Sequence, residues 1–305
     1  MALNPGLLRL QILGYAIEFV SEENSLLDIV GQLYPLADAE SVATTISISL
    51  QCSPASPTTL ANQVQFTLSS NNLQLTGKNA ASRCFADRQT MTGQIQLCRE
   101  MLKSPYLMRH QWFNTLSYFL LSYQQITPLH CCAFRLNQHT FVCLGDSGAG
   151  KSNLAMAAVE SGLPLLAEDL AFISGQQLHS DCREIHLLGD SVSRFSWLQQ
   201  LPFGSSHNGK NKFIVPVSPA TRIAKCQKLA TVFIKPQYHR QQSVINKNNN
   251  ELLFQALFEP TEAGFDLCCQ PRRQHIRWLS QQPSYIAQVG SDSQQFFQQL
   301  RELQP

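Results

Sequence analysis

The sequence predicts an α/β fold, and three adjoining features carry the prediction. Phe141-Val142-Cys143-Leu144 is an apolar run that reads as a buried parallel strand. It is followed at once by Gly145-Asp146-Ser147-Gly148-Ala149-Gly150-Lys151-Ser152, a complete G-x-x-x-x-G-K-S loop. Residues 153–159 then read as a helix. Strand, glycine-rich turn and helix in that order make a site for phosphate groups. Glycines let the backbone curl until several N–H groups face one anion, and the helix adds its positive N-terminal end. Lys151 would reach the β- and γ-phosphates of a nucleotide, and the Ser152 hydroxyl would hold Mg²⁺.

Elements N-terminal to this unit point to a separate α+β domain over residues 1–123, with the loop-bearing domain over 124–305. Leu8-x-Leu10-x-Ile12 and Tyr15-x-Ile17-x-Phe19 alternate as strands do, with Gly14 between them. Residues 25–36 read as a short helix, and 45–50 alternate again. Residues 64–68 and 73–75 flank Ser69-Ser70-Asn71-Asn72, a hairpin turn. Residues 89–102 and 107–123 read as helices, with Asp87-Arg88 as the start of the first and its carboxylate near the positive end. No catalytic cluster stands out before residue 105, so this domain reads as scaffold or substrate-docking surface.

In the second domain, residues 127–136 read as one strand. Asn137-Gln138 is a turn, and residues 139–144 return as the strand that feeds the loop. Ser161-Gly162 stops the helix. Residues 163–167 form a short apolar strand that ends in Glu168-Asp169, and 170–173 form another. Ligands of open α/β sheets gather at the carboxyl ends of strands, so this acid pair is well placed for a metal and a γ-phosphate. A solvated strand-end turn is the plain alternative. Residues 229–234 are a strand, 246–250 a polar turn, 251–258 a helix, 284–289 a last strand and 293–303 a terminal helix. Lys210 and Lys212 read either as a phosphate clamp or as a solvated loop. Arg272, Arg273 and Arg277 read as a charged helix face or as a site for an acidic partner.

Composition sets bounds on function. The chain has 305 residues and a net charge of +2, which gives no electrostatic case for nucleic acid or an anionic membrane. Its ten cysteines include the adjacent pairs Cys131-Cys132 and Cys268-Cys269, and no C-x-x-C spacing occurs. Reduced thiols in a cytoplasmic protein are the simplest expectation. The most apolar helix, around residues 112–123, is broken by Asn114, Ser117 and Ser122 and is too short to span a bilayer.

Leu129-His130, the hairpin, the G-D-S-G-A-G-K-S loop and Ser161-Gly162-Leu163-Pro164-Leu165-Leu166-Ala167-Glu168-Asp169 together resemble the catalytic core of the HPr kinase/phosphorylase superfamily. The resemblance covers about residues 125–175. It implies a P-loop kinase core of the HPr kinase/phosphoenolpyruvate carboxykinase type, with ATP and Mg²⁺ as cofactors. It also implies transfer of the γ-phosphate to a hydroxyl, such as a serine, of a peptide, protein or small molecule. Carried onto this chain, residues 145–152 would bind the nucleotide phosphates. Glu168 would be the base toward the attacking hydroxyl, Asp169 would sit with Ser152 at the metal, and His130 would lie near the phosphate. Glu168 departs from the family's Asp and is one methylene longer. The segment from Cys182 to Asp190 departs from the HPr-specific "E-x-R-G-x-G" pattern. The chain resembles the HPr-kinase-like proteins of peptide-modification clusters more closely, so HPr is not the expected acceptor. His130 also reads as a packed, hydrogen-bonded histidine. Two other functions remain open: a nucleotide-binding regulatory protein without transfer, and a phosphorolytic phosphatase on the same site. The sequence also leaves a homo-oligomer open.

Overall fold

The computed structural model describes residues 5–54, 64–77, 80–123, 126–248 and 269–303. It is a mixed α/β structure with several sheets and few helices. The chain divides into two compact units. The first runs to Gln124 and includes Ser205–Asn211, and the second holds the rest of the described residues.

In the first unit, β1 (Gly6–Ile12) and β2 (Tyr15–Ser21) pair antiparallel. Helix α1 (Asn24–Gly31) then crosses to β3 (Val42–Ser53), which lies parallel to β2. The helix expected over 25–36 stops at Gly31, and Leu36 bridges back to Leu10. Strands β4 (Val64–Leu68), β5 (Asn72–Gly77), β6 (Arg83–Asp87) and β7 (Thr92–Cys98) complete a seven-stranded sheet in the order β1-β2-β3-β7-β6-β5-β4.

Residues 89–102 are not one helix. Only α2 (Arg99–Leu102) is helical, because Gly93, Ile95 and Leu97 alternate with exposed or half-buried glutamines and bury one face of a strand. A Cβ on Gly93 would lie 2.6 Å from Leu116 Cδ2, so a helix packs directly on this strand. Asp87-Arg88 is accordingly a hairpin turn and not a helix start. Asp87 Oδ1 accepts the Gln89 N–H at 2.7 Å. Arg88 turns inward and is 1% exposed. Its Nε donates to Phe119 O at 3.1 Å and its Nη2 to Ser122 Oγ at 2.5 Å, and the guanidinium lies 3.8 Å from the centre of the Phe119 ring.

The acceptors belong to α4 (Asn114–Tyr123), which follows α3 (Pro105–Leu107) and a π-helical turn, Met108–Phe113. Arg88→Leu removes that donor from buried polar groups and is expected to destabilise the protein by about 2–4 kcal/mol. A urea midpoint equal to the parent's would show that Arg88 only fills space.

The second unit has three sheets. Strands β8 (Ile126–His130), β9 (Cys132–Leu136) and β10 (His139–Leu144) precede α5 (Lys151–Glu160). Next come β11 (Leu165–Ala167), β12 (Leu170–Ser174), β13 (Gln177–His179), β14 (Glu184–Leu187), β15 (Phe203–Ser205), β16 (Asn211–Pro216) and β17 (Lys225–Cys226). The chain closes with β18 (Leu229–Pro236), β19 (Val244–Lys247), α6 (Cys269–Ser280), β20 (Ser284–Val289) and α7 (Ser293–Glu302). The large sheet has the order β11-β9-β10-β18-β20-β19, beside a β17-β13-β12-β8 sheet and a β14-β16-β15 sheet. Strand β10 is parallel to β18 and antiparallel to β9, so the parallel strand read from the sequence has one parallel neighbour.

The large sheet is buried on both faces. Cys132, Phe134, Phe141 and Cys143 face a core shared with α5 and with Phe296, Phe297 and Leu300 of α7, while Ala133, Val142 and Leu144 face a second core with Ile276 and Leu279 of α6. Near-continuous apolar strands are what two buried faces require.

Residues 127–136 break at Cys131 into β8 and β9, which belong to different sheets. Of the polar turn expected over 246–250, Asn246 and Lys247 instead end the strand Val244–Lys247. Asn249, Asn250, Cys268 and the helix expected over 251–258 lie outside the described residues. The basic cluster on α6 divides: Arg272 is buried, while Arg273 and Arg277 are exposed. The described cysteines with placed side chains are free thiols. Burial pushes Cys84 up to about 12 and holds Cys131 and Cys143 well above the usual thiol range, so these remain protonated at neutral pH. No helix among the described residues is long and apolar enough to cross a membrane.

Candidate functional site

Strand β10 ends at Leu144, and loop 145–150 carries the chain into α5. Gly148 and Gly150 take φ of +83° and +85°, a left-handed backbone that disfavours side chains. Gly145 is needed for a different reason, since a Cβ there would stand 2.8 Å from Ile234 O of β18. The Ala149 N–H donates to Asp146 O at 3.1 Å and fixes the turn. Asp146, Ser147 and Gly148 are exposed at its crest, and Ala149 is buried beneath. A tight glycine-rich turn closing onto a helix N-terminus is a geometry that favours an anion.

Lys151 is 6% exposed. Its Nζ donates to Gly145 O at 2.7 Å and to Asp146 O at 3.0 Å, so the ammonium lies across the mouth of its own loop. Burial lowers its pKa, opposed by the nearby Cys132 and Asp169. Ser152 Oγ donates to Glu168 Oε1 at 2.5 Å. Glu168 is 4% exposed, and its second oxygen, Oε2, lies 3.3 Å from His186 Nδ1. The sequence paired Ser152 with Asp169 at the metal; the geometry pairs it with Glu168.

Asp169 points the other way, with its side chain 52% exposed. Its Oδ1 lies 3.1 Å from His130 Nδ1. His130 ends β8 and pairs with Leu170 of β12, and the Cys131 N–H donates to Asp169 O at 3.0 Å. Burial pulls the His130 pKa below its usual value. The Asp169 charge opposes this, and the Lys151 ammonium adds to it. Lys212, from the lysine-bearing stretch of the sequence, also lowers it, which brings its charge within range of this histidine.

Two residues near the loop were not singled out from sequence. His186 sits inside the buried run Ile185-His186-Leu187, and a histidine on the inner face of an apolar strand was the available signal. Tyr238 follows β18. Its hydroxyl donates to Ala149 O at 3.3 Å and touches the position that a Gly150 Cβ would occupy. Only its place just past Lys235-Pro236 at a strand end marked it.

Ser152 and Glu168 supply hard oxygen donors side by side, a set suited to Mg²⁺ whose remaining ligands are phosphate oxygens and water. Among the described residues, no cluster of three or more His, Cys, Asp or Glu side chains forms a self-sufficient metal site. The arrangement suits a polyphosphate, with the Lys151 ammonium as the neutralising charge and Asp169 as the exposed carboxylate that can accept a proton.

No protein-family model matches the chain, and no curated protein matches it. Part of the chain is similar to a solved structure described as the Hpr(Ser) kinase/phosphatase from Coxiella burnetii. The identity is 12% and the TM-score 0.24, with 39% of this chain and 71% of that chain covered.

Proposed function

We propose that this protein is an ATP-dependent phosphotransferase with a P-loop kinase core, which moves the γ-phosphoryl group to a hydroxyl of a peptide, protein or small molecule. The observation that carries the reading is the division of labour between adjacent carboxylates. Glu168 is buried against Ser152, while Asp169 is exposed beside His130.

In this reading the backbone N–H groups of loop 145–150 and the N-terminus of α5 hold the donor phosphates. Lys151 leaves the carbonyls of Gly145 and Asp146 and neutralises the transferring group. Ser152 and Glu168 would hold Mg²⁺, which supplies further charge neutralisation on the phosphate oxygens. Asp169 takes the proton from the acceptor hydroxyl as the new O–P bond forms and the bond to the departing ADP oxygen breaks. His130 steadies the Asp169 carboxylate from its far side. This reading exchanges the roles of the two acids relative to the sequence expectation, since Glu168 is already engaged with Ser152 while Asp169 is half exposed.

The test is incubation of the protein with γ-labelled ATP, Mg²⁺ and a lysate of its host, beside Lys151→Ala. A labelled acceptor that is absent with the variant is the expected outcome. Tight ATP binding without any acceptor-dependent consumption, across several lysates and acceptor pools, would overturn transfer and leave a nucleotide-gated binding protein.

A further inference from the structure

The site as described has a transfer side and an opposite side, and the opposite side is furnished. Glu168 and Asp169 follow β11, and His130 ends β8. In the large sheet, β11 and β9 flank β10 on one side and β18 flanks it on the other. The acid pair therefore lies on the β9/β11 side of the loop-bearing strand, and β18 lies on its other side. Strand β18 is parallel to β10, so its carboxyl end emerges at the same rim as the loop. Tyr238 stands there.

Tyr238 is not a loose surface residue. Its hydroxyl rests on Ala149 O and against Gly150, while 41% of the residue stays exposed. The segment that carries it is anchored at several points. Gln237 N–H donates to Val289 O at 2.8 Å, Ser291 N–H to Arg240 O at 2.9 Å, and Ser243 N–H to Gln295 Oε1 at 2.9 Å. The Arg194 guanidinium lies 5.9 Å from the ring centre and is itself tied to Ser291 O at 3.2 Å. A fixed, half-exposed aromatic ring beside the loop, with a guanidinium over it, offers a nucleobase a surface for stacking.

We propose that Tyr238 is the nucleoside-binding platform of this site, so that the donor is recognised as a nucleotide and not merely as a polyphosphate. This rests on the phosphate-loop reading above and goes further, since it assigns the base-facing residue. The ring supplies an apolar face to a purine, and Arg194 supplies positive charge near the α-phosphate or the base.

Calorimetric titration with Mg²⁺–ATP and with Mg²⁺–tripolyphosphate separates the two ends of the site. Tyr238→Ala is expected to weaken ATP about tenfold, in line with the strength of base–aromatic stacking, and to leave tripolyphosphate unchanged. Tyr238→Phe keeps the ring and is expected to bind ATP as the parent does. Equal weakening of both ligands by Tyr238→Ala would mean that the residue shapes the loop, and the proposal falls. The same holds if neither ligand is affected, or if Tyr238→Phe loses as much as Tyr238→Ala. A parent protein that binds neither ligand overturns the phosphate-loop reading itself, whereas ATP binding that ignores Tyr238 overturns only the platform.

Discussion

Asp169→Asn is expected to lower turnover by roughly 10²–10⁴-fold, the range lost with a general base, while the Kd for Mg²⁺–ATP stays close to the parent's. The side chain is half exposed and contacts His130, not Ser152, so its loss removes a proton acceptor and leaves the phosphate-binding groups in place. Glu168→Gln should give the opposite pattern. The amide oxygen can still accept from Ser152 Oγ, but the negative charge at the Mg²⁺ position is gone. The Mg²⁺ concentration for half-maximal rate is expected to rise about 10–100-fold, and Mn²⁺ binding followed by paramagnetic resonance should weaken in parallel. A loss of turnover with unchanged metal dependence in Glu168→Gln, together with a metal defect in Asp169→Asn, would restore the roles read from the sequence.

Lys151→Met is expected to abolish measurable transfer, with a loss of at least about 10³-fold, because in the proposed reaction the ammonium meets charge that develops on the transferring phosphoryl group. Its effect on folding should run the other way. Burial lowers the Lys151 pKa, so the unfolded chain holds this proton more tightly than the native protein does. Between the lowered pKa and the usual 10.5, stability therefore rises with pH, and below that window the buried charge is a standing cost. Methionine removes the charge and keeps the stem, so thermal unfolding at neutral pH is expected at or above the parent temperature. A large drop would mean that the bonds to Gly145 O and Asp146 O hold the loop together.

The strand, glycine-rich turn and helix around residues 145–152 were legible because the signals are local: glycines at fixed spacing between an apolar run and a helical stretch need no distant partner to be recognised. The acid pair was legible as a pair, but its division was not. Glu168 and Asp169 form the bend between β11 and β12, and only the folded chain shows that the first meets Ser152 and the second His130. The break at Cys131 was hidden because Cys131-Cys132-Ala133-Phe134 runs on without a turn residue, and such a run does not reveal where a strand changes sheets. Arg88 misled for a related reason. An arginine after an aspartate suggests an exposed helix start, whereas its partners, Phe119 and Ser122, lie more than thirty positions away. His186 and Tyr238 owe their places to long-range pairing of β14 with β16 and of β18 with β10, which no short window of sequence contains.

The two chain crossings beside the loop have a mechanical consequence. Strands β8 and β9 change sheets at Cys131, β11 and β12 change between the same two sheets at Glu168-Asp169, and the Cys131–Asp169 bond stitches the crossings together. Any sliding of one sheet over the other must bend both links at once. An added or missing residue in either link would therefore disturb both. Insertions are thus expected to be far better tolerated at the Gly175 turn than at this seam, where chain length sets the spacing of His130 and Asp169.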